Sequence, residues 1–169
     1  MATSATDLYI TGLRNAHAVE NQAIELLSRQ VERLENYPAM AERMRGHIEE
    51  SRAQAQRIER ILDTLGASHS ALKDTALSFM GNMAALAHAP MQDEVIKNTL
   101  ANFAFEHYEI ASYRSLLTMA DVVNDRTGPE LLRQSLDEEI RMAKWIEDHL
   151  DETTRTYMRL ETTGQKAGV

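Results

Sequence analysis

The sequence predicts an all-α protein, a four-helix bundle of two helical hairpins joined by a crossover segment that contains a short fifth helix. Three observations carry this reading. Gly (7) and Pro (3) are scarce among 169 residues, a composition of long helices with few turns. Four long stretches repeat apolar residues in steps of three and four, the spacing of one helical face. The joining piece, about 25 residues between Gly66 and Pro90, is too long for a tight antiparallel turn and has to cross the bundle.

Thr6 and Asp7 are placed to cap the first helix, expected over 6–36. Its stripe runs Tyr9, Leu13, Ala16, Glu20, Ile24, Leu27, Val31 and Leu34. Asn36-Tyr37-Pro38 stops it, because the residue before proline avoids helical angles. At 1.5 Å per residue this helix is roughly 45 Å long. The second helix is expected over 38–65, with Pro38 in a favourable first-turn position and Gly66 as its stop. Its stripe takes Met44, His47, Ser51, Gln54 or Ala55, Ile58, Leu62 and Leu65.

A short helix is expected over 70–88, with Leu72, Leu77, Met80, Met83 and Leu86 as apolar contacts, ended by Pro90. The third long helix, 92–122, carries the stripe Phe103, Glu106, Ile110, Tyr113 and Leu117. After a turn at Asn124 to Gly128, Pro129 opens the fourth helix, 129–158. That helix is striped by Leu132, Ser135, Glu139, Met142, Ile146 and Leu150. Residues 159–169 read as a disordered polar tail, and 1–169 as a single domain.

Composition narrows the function classes. There is no cysteine, which rules out disulfides and thiolate metal sites. A formal net charge of -8 argues against a nucleic-acid partner, whose phosphates have to be neutralised. No stretch approaches the length and apolarity of a membrane span. The start MATSATDLYI lacks a basic segment and an apolar core, so a cytoplasmic location is expected.

The two hairpins resemble each other. HIEESRAQAQRIERIL, from His47, aligns without a gap on SLDEEIRMAKWIEDHL, from Ser135, at an offset of 88 residues. AVENQAI aligns on AFEHYEI, matching Glu20 to Glu106 and Ile24 to Ile110 at an offset of 86. One hairpin therefore reads as a copy of the other.

Each long helix also carries acids near its middle: Glu20 in the first, Glu50 with His47 in the second, Glu106 and Glu109 in the third, Glu138 and Glu139 in the fourth. In an antiparallel bundle these lie at similar depth. Single glutamates on helices are usually solvated, and Glu49, Glu59 and Glu147 read that way. A set that recurs in all four helices on the apolar stripes is different. Several carboxylates cannot share a dry core without cations, and hard or borderline divalent metals with oxygen and imidazole ligands solve that problem. The candidate ligands are Glu20, His47, Glu50, Glu106, Glu109 and Glu139.

Four stretches, LYITGLRNAHAVENQAIELL, HIEESRAQAQRIERIL, EHYEIASYRSL and LDEEIRMAKW, resemble the YciE/YciF family of bacterial stress proteins, the domain of unknown function 892. That family is rubrerythrin-like and falls within the ferritin-like superfamily. The resemblance covers roughly residues 5 to 158. It implies a ferritin-like bundle, a homodimer, and iron as one or two ions, with manganese or zinc as alternatives. The superfamily pattern places one Glu on the first and third helices and Glu-x-x-His on the second and fourth. Glu20, Glu106 and Glu139 match it; Met142 stands at the fourth-helix His, and Ser51 and Gln54 occupy the second-helix pair. Glu109, Glu50 and His47 are the compensating candidates. The resemblance implies a stress-response protein that oxidises ferrous iron with peroxide or dioxygen. In that role Glu109 and Glu139 bridge or cap the metal, and Tyr113 hydrogen-bonds a ligand or quenches an oxidising equivalent. The departures at Gln54 and Met142 favour the alternative, a structural or interaction protein with a vestigial site, the extra Glu109 favours the metal-binding role, and enzymatic activity stays open.

Overall fold

The computed structural model describes residues 2–68 and 93–167, which form four helices and no strand. They are α1 (Ala5–Val31), α2 (Pro38–Thr64), α3 (Glu94–Val122) and α4 (Gly128–Thr162). The short helix expected over 70–88 lies outside the described residues. Among the described residues no helix is long and apolar enough to cross a membrane.

Local chemistry sets the ends. Ser4, rather than Thr6, caps α1: its hydroxyl accepts from Asp7 N at 3.1 Å while the Asp7 carboxylate accepts from Ser4 N at 3.3 Å. Only the serine has an acid three residues on to close this reciprocal box. α1 stops at Val31, short of the expected 36, because residues 32–37 turn tightly. Arg33 N donates to Gln30 O at 3.0 Å and Tyr37 N to Leu34 O at 3.1 Å, burying Leu34 and Tyr37. Gly66, at φ +67°, ends α2 as expected, in a left-handed conformation that costs glycine little.

α1 packs on α2 and α3, and α4 on α3 and α2. Side-chain pairs give the directions. Tyr9 near the start of α1 reaches Asp125 past the end of α3, and Gln30 near the end of α1 meets Asn102 in the first third of α3. α1 and α3 are therefore antiparallel. Arg57 meets Ser135, whereas Tyr37 meets Ala167, so α2 and α4 are antiparallel too. The chain leaves α2 at one end of the bundle and enters α3 at the other, as a crossover connection requires.

Two large apolar blocks, with a small cluster of Val19, Ala23 and Phe105, fill the bundle among the described residues. One is built around Tyr9, Leu13, Ile58, Leu62, Leu116 and Leu132, the other around Leu27, Met40, Met44, Ile48, Ile146 and Leu160. The helix middles between them carry a polar layer. The predicted stripes face inward, with Ile24, Val31, Leu65, Phe103, Leu117 and Leu150 only partly buried.

The tail is a correction. α4 continues to Thr162, and Ala167 is buried. The tail docks on the α1–α2 turn through its carbonyls: Tyr37 Oη donates to Ala167 O at 2.8 Å and Asn36 Nδ2 to Lys166 O at 2.6 Å. A polar composition reads as disorder because it does not show acceptors that belong to the backbone.

Asp125 ties the other end together. It accepts from the buried Tyr9 hydroxyl at 2.9 Å, from Thr127 N at 2.9 Å and from Gly128 N at 3.1 Å. A side chain at Gly128 would collide with the Asp125 carboxylate and the Tyr9 hydroxyl. Asp125→Ala leaves the Tyr9 hydroxyl and the first amides of α4 unpaired. It should lower stability by about 1–3 kcal/mol in urea denaturation; an unchanged midpoint would show that Asp125 does not fasten the two hairpins.

Candidate metal centre

The polar layer draws on every helix. α1 supplies Glu20, α2 supplies His47, Ser51 and Gln54, α3 supplies Glu106 and Glu109, and α4 supplies Glu138 and Glu139; all are buried. They meet because each lies on its helix's inward stripe near mid-length, where antiparallel helices share one depth.

His47, Glu106, Glu109 and Glu139 form the focus. Each presents one ligand atom, and these atoms all lie within 4.8 Å of one another. His47 Nε2 stands 3.2 Å from Glu106 Oε2 and 3.6 Å from Glu139 Oε2. His47 Nε2, Glu106 Oε2, Glu109 Oε1 and Glu139 Oε2 are buried and have no hydrogen-bond partner among the described residues. Buried polar atoms without hydrogen-bond partners are rare, and four potential ligand atoms converging on one point suit a cation. The residues present therefore fit a metal ion.

Of the predicted ligand set, Glu50 and Glu20 stand outside this group. Glu50 stands behind His47, bonded to Nδ1 at 2.9 Å, and Arg43 Nη1 holds the same oxygen at 3.0 Å. This is the position of a carboxylate that orients a ligand histidine and sets its tautomer. Glu20 sits beside the focus, accepting a short hydrogen bond from the Tyr113 hydroxyl. Its other oxygen, Oε2, has no partner among the described residues.

The sequence reading missed Arg57 and counted Glu138 only among the mid-helix acids. Arg57 binds Glu138 through two hydrogen bonds of 2.6 and 2.8 Å and reaches Ser135 Oγ at 3.1 Å. Gln54 Nε2 donates to Glu138 Oε2 at 3.0 Å and to Glu139 Oε1. The available signal was an arginine one turn after Gln54, at the edge of the α2 stripe.

Electrostatics follow from burial. Desolvation pushes Glu20 up to about 8, against the opposing hydrogen bond from Tyr113. Glu109 is raised well above the carboxylate range by burial, then by the charges of Glu139, Glu20 and Glu106. Glu139 is raised by burial and Glu106, with His47 opposing. Burial alone would depress His47, but Glu106, Glu50 and Glu139 outweigh it and hold the imidazole well above its usual value. Glu50 falls to about 2: burial opposes this, and the bonds from His47 and Arg43 overcome it.

Comparison with known proteins follows the same lines. The family model described as Domain of unknown function (DUF892) matches residues 4–159. Protein YciF of Escherichia coli (strain K12) is 28% identical over 144 residues, 79% of this chain and 82% of that protein. A crystal structure of a Xanthomonas campestris pv. campestris protein superposes with a TM-score of 0.80 at 26% identity, covering 94% of this chain and 99% of that one. The crystal structure of the E. coli stress protein YciF superposes at 0.76 with 23% identity, covering 88% and 96%.

The raised carboxylates set the pH dependence of the metal-free protein. A Glu raised in the folded state keeps a proton that the unfolded chain has released, so stability falls as pH rises from about 4.5 towards about 8. The raised His47 acts in the same sense, whereas depressed Glu50 withdraws stability only as pH drops from about 4.5 to about 2. In chelator, urea stability should peak near pH 5 and decline above it by about 1.4 kcal/mol per pH unit for each full proton difference. A curve flat from pH 5 to 8 would contradict this.

Proposed function

The chain belongs to the family described as Domain of unknown function (DUF892), and we propose that it is a ferritin-like metal-binding protein whose layer holds iron through His47, Glu106, Glu109 and Glu139. One observation carries the reading: four buried ligand atoms from three helices converge on one point with no hydrogen-bond partner among the described residues. Three carboxylates and one imidazole suit iron, manganese or zinc, and lack the soft ligands that copper(I) favours. Iron is preferred because the ferritin-like bundles that the sequence resembles use it.

When bound, iron supplies one-electron exchange with peroxide or dioxygen. The chain's own residues do the rest. Glu50 holds His47 Nδ1, which leaves Nε2 turned toward Glu106 and Glu139, where it would bind an ion. Glu20, titrating near 8, and the Tyr113 hydroxyl place a transferable proton at the edge of the ligand set. The apolar blocks on both sides keep bulk water out. The relationship to E. coli YciF, described as a stress protein, supports a role under stress.

A second reading, a structural protein with a vestigial site, is favoured by Ser51 and Gln54 in place of ligands and by the Arg57–Glu138 pair that closes part of the layer without metal. The homodimer belongs to both readings and would cover the more than half exposed Leu100, Val122 and Met158. Light scattering should report the mass of two chains; a single-chain mass removes the dimer.

The two readings separate in an anaerobic Fe(II) titration. The parent protein should bind iron and gain stability by RT ln(1 + [L]/Kd), about 2.7 kcal/mol at a hundredfold excess over Kd. Glu106→Ala should lose most of that gain, and Glu49→Ala, on the exposed face, should keep it. If the parent melts identically with and without Fe(II), or if Glu106→Ala binds as tightly as the parent, the structural reading replaces the metal reading.

A further inference from the structure

We propose that Gln54 is a positioning residue: held by the buried Arg57–Glu138 pair, it leaves one oxygen of Glu139 turned toward His47, where it would bind the ion, and so sets the affinity of the centre. This rests on the metal reading and adds to it the residues that aim a ligand.

At the offset of 88, Glu138 is the counterpart of Glu50. Neither belongs to the converging group of His47, Glu106, Glu109 and Glu139. Each is instead pinned by an arginine. Arg43 Nη1 donates to Glu50 Oε2 at 3.0 Å, and Arg57 donates to both oxygens of Glu138 at 2.6 and 2.8 Å. Each pinned acid then fixes a side chain of the group. Glu50 holds His47 directly, at Nδ1. Glu138 acts on Glu139 through one intermediary: Gln54 Nε2 donates to Glu138 Oε2 at 3.0 Å and to Glu139 Oε1. All four residues of this chain of contacts are buried.

Two carboxylate oxygens face the same end of the Gln54 amide, so that end is the NH2, with one hydrogen for each. Gln54 Oε1 is left buried with no hydrogen-bond partner among the described residues. The side chain is therefore placed by its donor end. The consequence falls on Glu139. The last torsion of a glutamate is broad and roughly two-fold, so an untethered carboxylate samples many planes. With Oε1 tied, Oε2 is the free atom, 3.6 Å from His47 Nε2. Arg57, which also reaches Ser135 Oγ at 3.1 Å, anchors the far end. A ligand held in its binding orientation before the ion arrives loses less freedom on binding, and outer contacts raise affinity in this way.

The test is the Co(II) affinity and absorption spectrum of the chelator-treated full chain. Gln54→Met keeps the length of the side chain and removes the donor. Its Co(II) Kd should rise by about 10- to 100-fold, and its d–d bands should shift as the untied carboxylate changes the ligand field. A purely structural role would lower stability in chelator and leave Kd and bands as in the parent. Arg57→Met combined with Glu138→Leu removes both buried charges and the anchor, and should weaken Co(II) binding in the same sense; it decides the matter if Gln54→Met does not fold. Glu49→Ala, on the exposed face, should match the parent. If the parent binds Co(II) and the folded variants bind it as tightly with unchanged bands, this inference falls and the metal reading stands. If the parent binds no Co(II), the metal reading falls and takes this inference with it.

Discussion

The structure depends on the mutual repulsion of acids that the fold forces together. Glu20, Glu106, Glu109, Glu138 and Glu139 lie in one buried layer between two apolar blocks. Removing a carboxylate from water costs several kcal/mol, and neighbouring like charges add to that in a medium of low dielectric. Beyond hydrogen bonds, the remedies are a proton, a fixed cation, or a mobile one. The layer shows the first two. Glu20 is pushed up to about 8, which makes it a proton carrier near neutrality. Glu138 is paired with Arg57. The remaining acids converge on His47 with free oxygens, and that is the geometry of the third.

Such a layer survives only because the rest of the chain is stable without it. Tyr9, Leu13, Ile58, Ile61 and Leu62 on one side are almost fully buried, and the reciprocal cap at Ser4, the Asp125 junction and the docked tail fix the ends. The helices hold the acids at one depth whether or not those acids prefer it. Local conflict inside a globally consistent fold marks function. The buried oxygens Glu109 Oε1 and Glu139 Oε2, without a hydrogen-bond partner among the described residues, are the clearest such conflict here.

Most of the bundle was legible in the sequence because it is written in periodicity. The stripes through Leu13, Ile58 and Leu132 need only a period of 3.6 and an inward face. The stops at Pro38 and Gly66 need only backbone sterics. The acids on the stripes were legible too, since a charged residue in an apolar period is a visible anomaly. What stayed hidden depends on distance across helices. His47 and Glu50 sit three residues apart and look interchangeable as ligands, yet one points into the layer and the other is pulled outward by Arg43. Arg57 lay at the edge of its stripe, and nothing local tells that its guanidinium spans to Glu138 on α4. The docked tail was illegible because its contacts are made by carbonyls, which every residue carries.

The repeat explains why likeness of fold leaves the chemistry undetermined. Two copies of a hairpin, packed about a common layer, place equivalent positions at equivalent depth whatever residues occupy them. Glu139 and Ser51 share a register, as do Met142 and Gln54, and all four are buried. Their side chains nonetheless divide the layer into a half that gathers free ligand atoms and a half that closes itself with Gln54 and Arg57. A bundle can match another closely in its backbone and differ in how many cations it holds, because that number is set by a few donors and acceptors. Met142 makes the point at a single position. It sits one turn from Glu139, where an imidazole would complete a symmetric ligand pair, and it packs instead with the apolar block of Met44 and Ile146. The one imidazole of the buried group belongs instead to His47 on α2, diagonally across the bundle from α3, so a metal ion there would be held by unlike halves of the bundle.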